Sequence, residues 1–280
     1  MYKEWMISIP ELMGGRERRA FIYVPDEAYA DGGFGGNENN GGGDHDNNGR
    51  DNNAQRRYPV LYMFDGQNLY FDEAASFGKS WGLMRYLEEN NIPLILASIE
   101  CNHYPEESPF GGRLSEYTPF DFSDPHWGDI KARGSITMNY YVNEFKPYID
   151  ANYPTLPDRN HTFIGGSSMG GLMTLYALMC FNETFSRGCA LSPSLCFSFL
   201  DIMEMTEQAK IAKTWLYMDN GSKEMGLYRF KDAYAEVTAA LIKKGVFLES
   251  RVIPNGTHSE GSWEKQIPFF IDSLFYDLSI

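Results

Sequence analysis

The chain has 280 residues, of which 43% are hydrophobic and 22% are charged, and its formal net charge is −14. This size and composition predict a single globular domain over residues 1–280 with a large hydrophobic core. The negative charge argues against nucleic acid or a membrane surface as a partner, because phosphate backbones and anionic lipids are negative themselves.

The first residues lack the apolar run of a signal peptide, and no uncharged run is long enough to span a membrane. These features predict a cytoplasmic protein. The four cysteines show no C-x-x-C spacing and lie in apolar or helical surroundings: Cys101, Cys180, Cys189 and Cys196. We expect buried, reduced thiols rather than disulfides or zinc ligands.

The N-terminal part of the sequence divides into two regions. Residues 5–11 and 18–24 alternate or run apolar around two glycines, which predicts an antiparallel β-hairpin. Residues 31–54 are rich in glycine and asparagine and offer little to bury, which predicts a flexible insertion within the domain. Four of these residues match the first half of a calcium loop: Asp44, Asp46, Asn48 and Gly49. The twelfth position is Gln55 instead of a bidentate glutamate, so a disordered insertion is favoured over a calcium site.

Strand and helix patterns alternate over the rest of the chain. Strands are predicted at residues 59–64, 92–99, 161–164, 188–191, 214–218 and 246–253. Helices are predicted at residues 80–90, 136–153, 172–181, 198–212, 226–244 and 260–278, the last interrupted near Pro268. Residues 101–135 are long, irregular and aromatic, which is typical of a functional loop. The alternation predicts an α/β fold: a mostly parallel sheet with an N-terminal antiparallel hairpin and helices on both faces.

A G-x-S-x-G motif, residues 166–170, stands between a predicted strand and a predicted helix, with Ser168 at its centre. That context is typical of a nucleophile elbow, in which small neighbours allow a strained serine to sit between strand and helix. The alternative interpretation is a glycine-rich turn with an incidental serine. We predict Ser168 as a nucleophile.

Candidates for a base and an acid follow at later strand ends, where parallel sheets collect their reactive groups. The chain order is Ser168, then Glu224 or Asp219, then His258, as in α/β-hydrolases. His258 follows the last predicted strand in a glycine-containing loop. Glu224 is favoured over Asp219 because a loop three residues beyond Gly221 can turn a carboxylate back over the sheet edge, but both acids remain candidates.

The tetrahedral intermediate of ester hydrolysis requires an oxyanion hole. The predicted donors are the backbone N–H of Met169 and the N–H of Gln67, in the loop after the third strand. The alternative for that loop is a plain turn at Asp65-Gly66. No metal site is predicted.

Five segments of the chain resemble the putative-esterase family of α/β-hydrolases, which includes esterase D-like enzymes, enterochelin esterases and feruloyl esterases. They are residues 62–68, 113–119, 166–170 and 221–224, and His258 with Trp263. The resemblance implies an eight-stranded, mostly parallel sheet, no cofactor, an acyl-enzyme and the acid at Glu224. Many members carry Asp at that position, which leaves Asp219 as an alternative, and the insertion has no counterpart.

The predicted function is a serine carboxylesterase acting on small or carbohydrate-linked esters, for example acetyl or feruloyl esters. The aromatic loop 101–135 would then form part of the acyl or alcohol pocket. An acyltransferase with the same acyl-enzyme is one alternative, since it differs only in admitting an alcohol instead of water. A non-catalytic binding module on a hydrolase scaffold is another, because fold does not imply function. The oligomeric state is not predicted.

Overall fold

The computed structural model of the chain describes residues 1–12, 15–26, 28, 56–103, 112–226 and 228–278. The predicted insertion at 31–54, its calcium-like residues and the Gly14 turn of the hairpin lie outside the described residues. The described strands are β1 Tyr2–Ser8, β2 Glu17–Tyr23, β3 Val60–Met63, β4 Ile95–Ile99, β5 Phe122–Asp124, β6 Gly128–Ile130, β7 Thr162–Ser167, β8 Arg187–Leu191, β9 Trp215–Gly221 and β10 Phe247–Ile253.

Eight of these strands form one sheet in the order β1-β2-β4-β3-β7-β8-β9-β10. β2 pairs antiparallel with both β1 and β4, and the pairs from β4 to β10 are parallel. This arrangement confirms the predicted mostly parallel, eight-stranded sheet with its N-terminal antiparallel pair. The carboxyl ends of β3, β7, β8, β9 and β10 therefore lie along the same edge of the sheet.

Nine α-helices accompany the sheet among the described residues. They are α1 Leu83–Glu89, α2 Arg113–Glu116, α3 Gly134–Tyr140, α4 Lys146–Asn152, α5 Met169–Cys180, α6 Phe199–Gln208, α7 Tyr228–Lys244, α8 Glu260–Glu264 and α9 Ile267–Phe275. A π-helical segment, Tyr141–Phe145, joins α3 to α4 just before Pro147. The last predicted helix is divided into α8 and α9, with Pro268 in the first turn of α9, where its missing N–H costs nothing.

Buried side chains form a cluster on each face of the sheet. One cluster packs the strands against α3 to α7 and the π-helical segment, and the other packs them against α1, α8 and α9. Neighbouring residues of a strand enter opposite clusters, as Leu61 and Tyr62 of β3 do. Helices therefore cover both faces, as predicted. Within the described part of the chain, no helix combines the length and apolar character needed to cross a membrane.

Two expectations differ from the structure. Residues 101–135 contain α2 and the β5–β6 pair, although the sequence predicted an irregular loop, and residues 104–111 lie outside the described residues. Elements of three or four residues are too short to produce a recognisable period. Cys180, expected to be buried, is exposed at the last position of α5, whereas Cys101 and Cys189 are buried.

A buried ion pair joins the N-terminal hairpin to α2. Arg18 Nη1 lies 2.7 Å from Glu116 Oε2, Nη2 lies 3.1 Å from Oε1, and the two side chains are 3% and 1% exposed. Asn102 Nδ2 donates to the same carboxylate at 2.9 Å. The pair fixes α2, whose first residue is Arg113, against the sheet.

Replacing Arg18 with methionine should lower the free energy of unfolding by about 3–5 kcal/mol, because it leaves the Glu116 carboxylate buried without its charged partner. Urea denaturation measures the loss. The matched control is Lys131→Met, which removes the exposed pair between Lys131 and Asp121 and should leave the stability unchanged. An Arg18→Met protein as stable as that control would contradict the role given to the buried pair.

Candidate active site

Ser168 occupies the turn between β7 and α5, with φ 58° and ψ −121°. A residue other than glycine in such a conformation carries backbone strain of about 1–3 kcal/mol. The surrounding hydrogen bonds hold it there: Ser168 N donates to Leu191 O at 2.9 Å, and Ser194 N donates to Ser168 O at 3.0 Å. Both partners belong to β8 or the loop after it, so the sheet itself fixes the turn.

Two glycines on either side of Ser168 let strand and helix approach. A Cβ atom on Gly166 would lie 2.8 Å from the carbonyl carbon of Gly170, and a Cβ on Gly170 would lie 3.0 Å from Phe64 Cβ. These distances leave no room for a side chain at Gly166, because the clash would be with backbone. The strand, tight turn and helix that the G-x-S-x-G motif predicts are all present.

His258 and Glu224 meet at the carboxyl edge of the sheet, after β10 and β9 respectively. His258 Nδ1 lies 2.6 Å from Glu224 Oε2. The carboxylate side chain is 7% exposed and the imidazole 40% exposed, so the acid lies beneath the ring. Ser192 Oγ and Gly221 N both donate to the other carboxylate oxygen, Oε1, at 2.8 Å.

These contacts decide the charge of the carboxyl group. Burial alone raises the pKa of Glu224, but the hydrogen bond and charge of His258, with the donors on Oε1, hold that pKa below its ordinary value. Glu224 is therefore an ionised carboxylate at neutral pH. An ionised, hydrogen-bonded carboxylate fixes the imidazole with its proton on Nδ1 and leaves Nε2 as an acceptor.

Asp219, the alternative acid, has different partners. It is 1% exposed, and its carboxyl accepts from Tyr217 Oη at 3.0 Å and from Ser192 N at 3.2 Å. Burial raises the pKa of Asp219 to about 7, although the two hydrogen bonds oppose the shift. The structure thus brings Glu224, not Asp219, into contact with His258.

The hydroxyl of Ser168 lies 3.3 Å from Ser194 Oγ. Among the described residues, no hydrogen bond joins it to the His258 imidazole. Catalytic hydrogen bonds are often long in the absence of substrate and tighten when it binds. Rotation about the Cα–Cβ bond to another staggered position would redirect the hydroxyl.

The backbone amides of Gln67 and Met169 are the expected oxyanion donors. Gln67 lies in a 3₁₀ turn, Gly66–Asn68, after β3, and Met169 is the first residue of α5. Within the described ranges, neither amide donates to a protein acceptor. Helix N-termini favour negative charge, so both amides suit an oxyanion.

Side chains hold the Gln67 turn rigidly. The Gln67 amide group contacts Ser76 Oγ and Cys101 Sγ, both at 3.2 Å, and accepts from Cys101 N at 3.2 Å. The preceding residue, Asp65, has a left-handed backbone with φ 57°. Its carboxylate forms a bidentate pair with Arg113, at 2.6 and 2.7 Å. This pair makes the Asp65-Gly66 segment more than a plain turn.

The sequence did not predict a role in this site for three residues, although Trp263 is one of the residues that carry the family resemblance. Ser192 touches Glu224, Trp263 packs edge-on against His258 with ring centroids 5.1 Å apart, and Glu260 is a buried carboxyl whose pKa burial raises. A single serine after a strand, or a single tryptophan among polar residues, carries no distinctive pattern. Among the residues that the structure describes, no group of three or more His, Cys, Asp or Glu side chains is placed to hold a metal ion.

The raised pKa of Asp219 predicts a pH-dependent stability. The folded state keeps the proton up to about pH 7, while the unfolded chain releases it near the ordinary value of 3.8. The stabilisation is complete below pH 3.8 and is lost as the pH rises through 7, to a maximum of about 4 kcal/mol. Asp219→Asn has no carboxyl group to ionise and should not lose stability in this way. Its free energy of unfolding relative to that of the wild type should therefore rise between pH 5 and 8. Identical unfolding profiles across that range would contradict the assignment.

Solved structures with the same fold are numerous, and three are representative. An IroE-like serine hydrolase from Shewanella oneidensis is 19% identical, with a TM-score of 0.70 over 100% of this chain and 82% of its own. The siderophore hydrolase EstA from Aspergillus nidulans is 19% identical, with a TM-score of 0.65 over 96% and 93%. The enterobactin esterase FES from Shigella flexneri, solved with enterobactin, is 16% identical, with a TM-score of 0.67 over 100% and 60%. These likenesses confirm the α/β-hydrolase fold.

A curated relative, the uncharacterised protein YbbA of Bacillus subtilis (strain 168), is 25% identical over 170 residues. The match spans 60% of this chain and 62% of that relative, less than two thirds of its length. The family described as Putative esterase matches residues 48–270, which confirms the family predicted from the sequence. The chain belongs to the putative esterase family.

Proposed function

We propose that the chain is a serine carboxylesterase in which Ser168 is the nucleophile, His258 the base and Glu224 the acid. The observation that carries this proposal is the 2.6 Å contact between His258 Nδ1 and Glu224 Oε2 at the sheet edge that also holds the strained Ser168. Nucleophile, base and orienting acid at one edge are the parts that acyl transfer through an acyl-enzyme requires.

The reaction begins when Ser168 Oγ attacks the ester carbonyl carbon and His258 Nε2 takes the hydroxyl proton. Glu224 keeps the other imidazole proton on Nδ1 and stabilises the cation that forms. The amides of Gln67 and Met169 donate to the oxyanion of the tetrahedral intermediate. His258 then returns the proton to the leaving alcohol, and an activated water releases the acyl group by the same steps in reverse.

Glu224 is the better acid of the two candidates because its environment keeps it charged. Its carboxylate receives donors on both oxygens, and its pKa is lowered. Burial raises the pKa of Asp219 to about 7, so a large fraction of this group is neutral at physiological pH. Carboxyl groups whose pKa values are separated in this way by their environments take different roles in an active site.

The proposed substrates are small or carbohydrate-linked carboxylic esters, such as acetyl or feruloyl esters. An aromatic group close in sequence to Ser194, whose hydroxyl lies 3.3 Å from that of Ser168, supports this choice. Phe197, three residues after Ser194, stacks on Phe122 with centroids 5.1 Å apart and contacts Trp127 at 5.0 Å. Aromatic faces suit both sugar rings and phenolic acyl groups. Among the similar structures, one is named an enterobactin esterase and another a siderophore hydrolase.

Replacing Ser168 with alanine should reduce kcat for p-nitrophenyl acetate by on the order of a millionfold, because no other group forms the acyl-enzyme. A fluorophosphonate probe should label Ser168 in the wild-type protein, as located by peptide mass spectrometry, and should not label the variant. Turnover of acetyl, butyryl, feruloyl and acetylated-sugar esters then ranks the substrates.

Ser167→Ala is the matched control, since Ser167 is the neighbouring hydroxyl at the end of β7 and is 6% exposed. It should retain labelling and turnover. Persistent labelling and turnover in Ser168→Ala would show that another residue is the nucleophile.

The two acids are separated by paired amide substitutions. Glu224→Gln should lower kcat about 10⁴-fold, because it removes the charge and disturbs the tautomer that orients the imidazole. Asp219→Asn should cost less than about tenfold, since Asp219 touches neither His258 nor Ser168 in the structure. Steady-state kinetics on one ester decide the ranking, and the reverse order would transfer the role of the acid to Asp219.

A further inference from the structure

Ser192 follows β8 directly and is 2% exposed. Its hydroxyl has two partners: Ser192 Oγ lies 2.8 Å from Glu224 Oε1 and 3.0 Å from Trp263 Nε1. Neither partner is close in sequence, because Glu224 follows β9 and Trp263 lies in α8. The buried hydroxyl of Ser192 thus connects the Glu224 carboxylate to α8.

The chemistry of the two partners fixes where the hydroxyl proton points. An indole N–H donates and cannot accept, so Trp263 Nε1 donates to Ser192 Oγ. An ionised carboxylate accepts and cannot donate, so the single proton of Ser192 points to Glu224 Oε1. Gly221 N donates to the same oxygen at 2.8 Å. With two donors on Oε1, the carboxylate can turn only by breaking both bonds, and Oε2 stays next to His258 Nδ1.

The backbone conformation of Ser192 favours glycine, which indicates that serine occupies this position for its hydroxyl. Its φ is 43°, in the left-handed region that favours glycine. The strained backbone is held by Asp219, because Ser192 N donates to Asp219 O at 3.0 Å and to Asp219 Oδ1 at 3.2 Å. A glycine would adopt this conformation without strain, but it would leave Glu224 without its donor.

We propose that Ser192 is a positioning residue: its hydroxyl, oriented by Trp263, clamps Glu224 in the rotamer that holds the His258 imidazole. The inference rests on the proposed function, since Ser192 acts through the acid. Trp263 supports the arrangement a second time, because its ring packs edge-on against the imidazole with an interplanar angle of 81°. The hydroxyl, the indole and the carboxylate form a single support beneath His258.

The central test compares Ser192→Gly with wild type in kcat, KM and melting temperature. Removing a hydrogen bond to a charged group should lower kcat about 10- to 100-fold and leave KM within about twofold, because substrate does not touch the buried hydroxyl. Glycine should fold at least as well as the matched variant Ser192→Ala, which also lacks the hydroxyl but keeps the strain. The downfield ¹H NMR resonance of His258 Nδ1–H should move in both variants.

A double-mutant cycle with Trp263→Phe distinguishes positioning from simple packing. Phenylalanine keeps a ring against the imidazole but removes the N–H. Trp263→Phe alone should therefore lower kcat, but by less than Ser192→Gly does. Added to Ser192→Gly, it should change kcat by less than about twofold, because the indole N–H acts on Glu224 only through the hydroxyl. Additive losses in the cycle would overturn the proposal.

Two further outcomes have distinct meanings. If Ser192→Gly has wild-type kcat while Ser168→Ala is inactive, the positioning role is wrong and the proposed esterase function stands. If Ser168→Ala keeps full activity, the proposed function is wrong, and the inference falls with it. Should the glycine variant fail to fold, the kcat of Ser192→Ala and the Trp263→Phe cycle in that background decide the same question.

Discussion

The close passage of β7 and α5 is the constraint on which the rest of the site depends. Gly166 and Gly170 allow it, and the resulting turn forces Ser168 into a left-handed conformation at the sheet edge. This turn places Ser168 immediately before the helix and puts the Met169 amide at the helix N-terminus. The same turn is bonded to β8 through Leu191 and Ser194, so the strain is balanced by the sheet rather than by the loop alone.

The region around the strand ends also contains buried charges, and three buried carboxylates there are paired. Asp65 pairs with Arg113, Glu116 pairs with Arg18, and Glu224 pairs with His258. Buried charges are costly unless they are paired and hydrogen-bonded, so these pairs specify the geometry as much as they stabilise it. Asp219 and Glu260 differ, because burial raises the pKa of both carboxyl groups, that of Asp219 to about 7.

Much of the fold follows from local patterns. The apolar runs at residues 59–64 and 92–99 predicted the buried strands β3 and β4, because strands covered on both faces lose the polar alternation. The position of Pro268 predicted the break between α8 and α9. Short or irregular elements were not predicted: α2 and the β5–β6 pair are too short to show a period, and the π-helical segment lies within a stretch that the sequence predicted as one helix.

The sequence by itself determined the order of strands and helices, the elbow serine and the presence of a histidine and two acids at later strand ends. Only the tertiary structure decided which acid lies beside His258. Glu224 and Asp219 are five residues apart on one strand and its loop, and their side chains enter different environments. The roles of Ser192 and Trp263 were equally hidden, because contacts between residues from separate strand ends depend on side-chain direction in space, which no local spacing records.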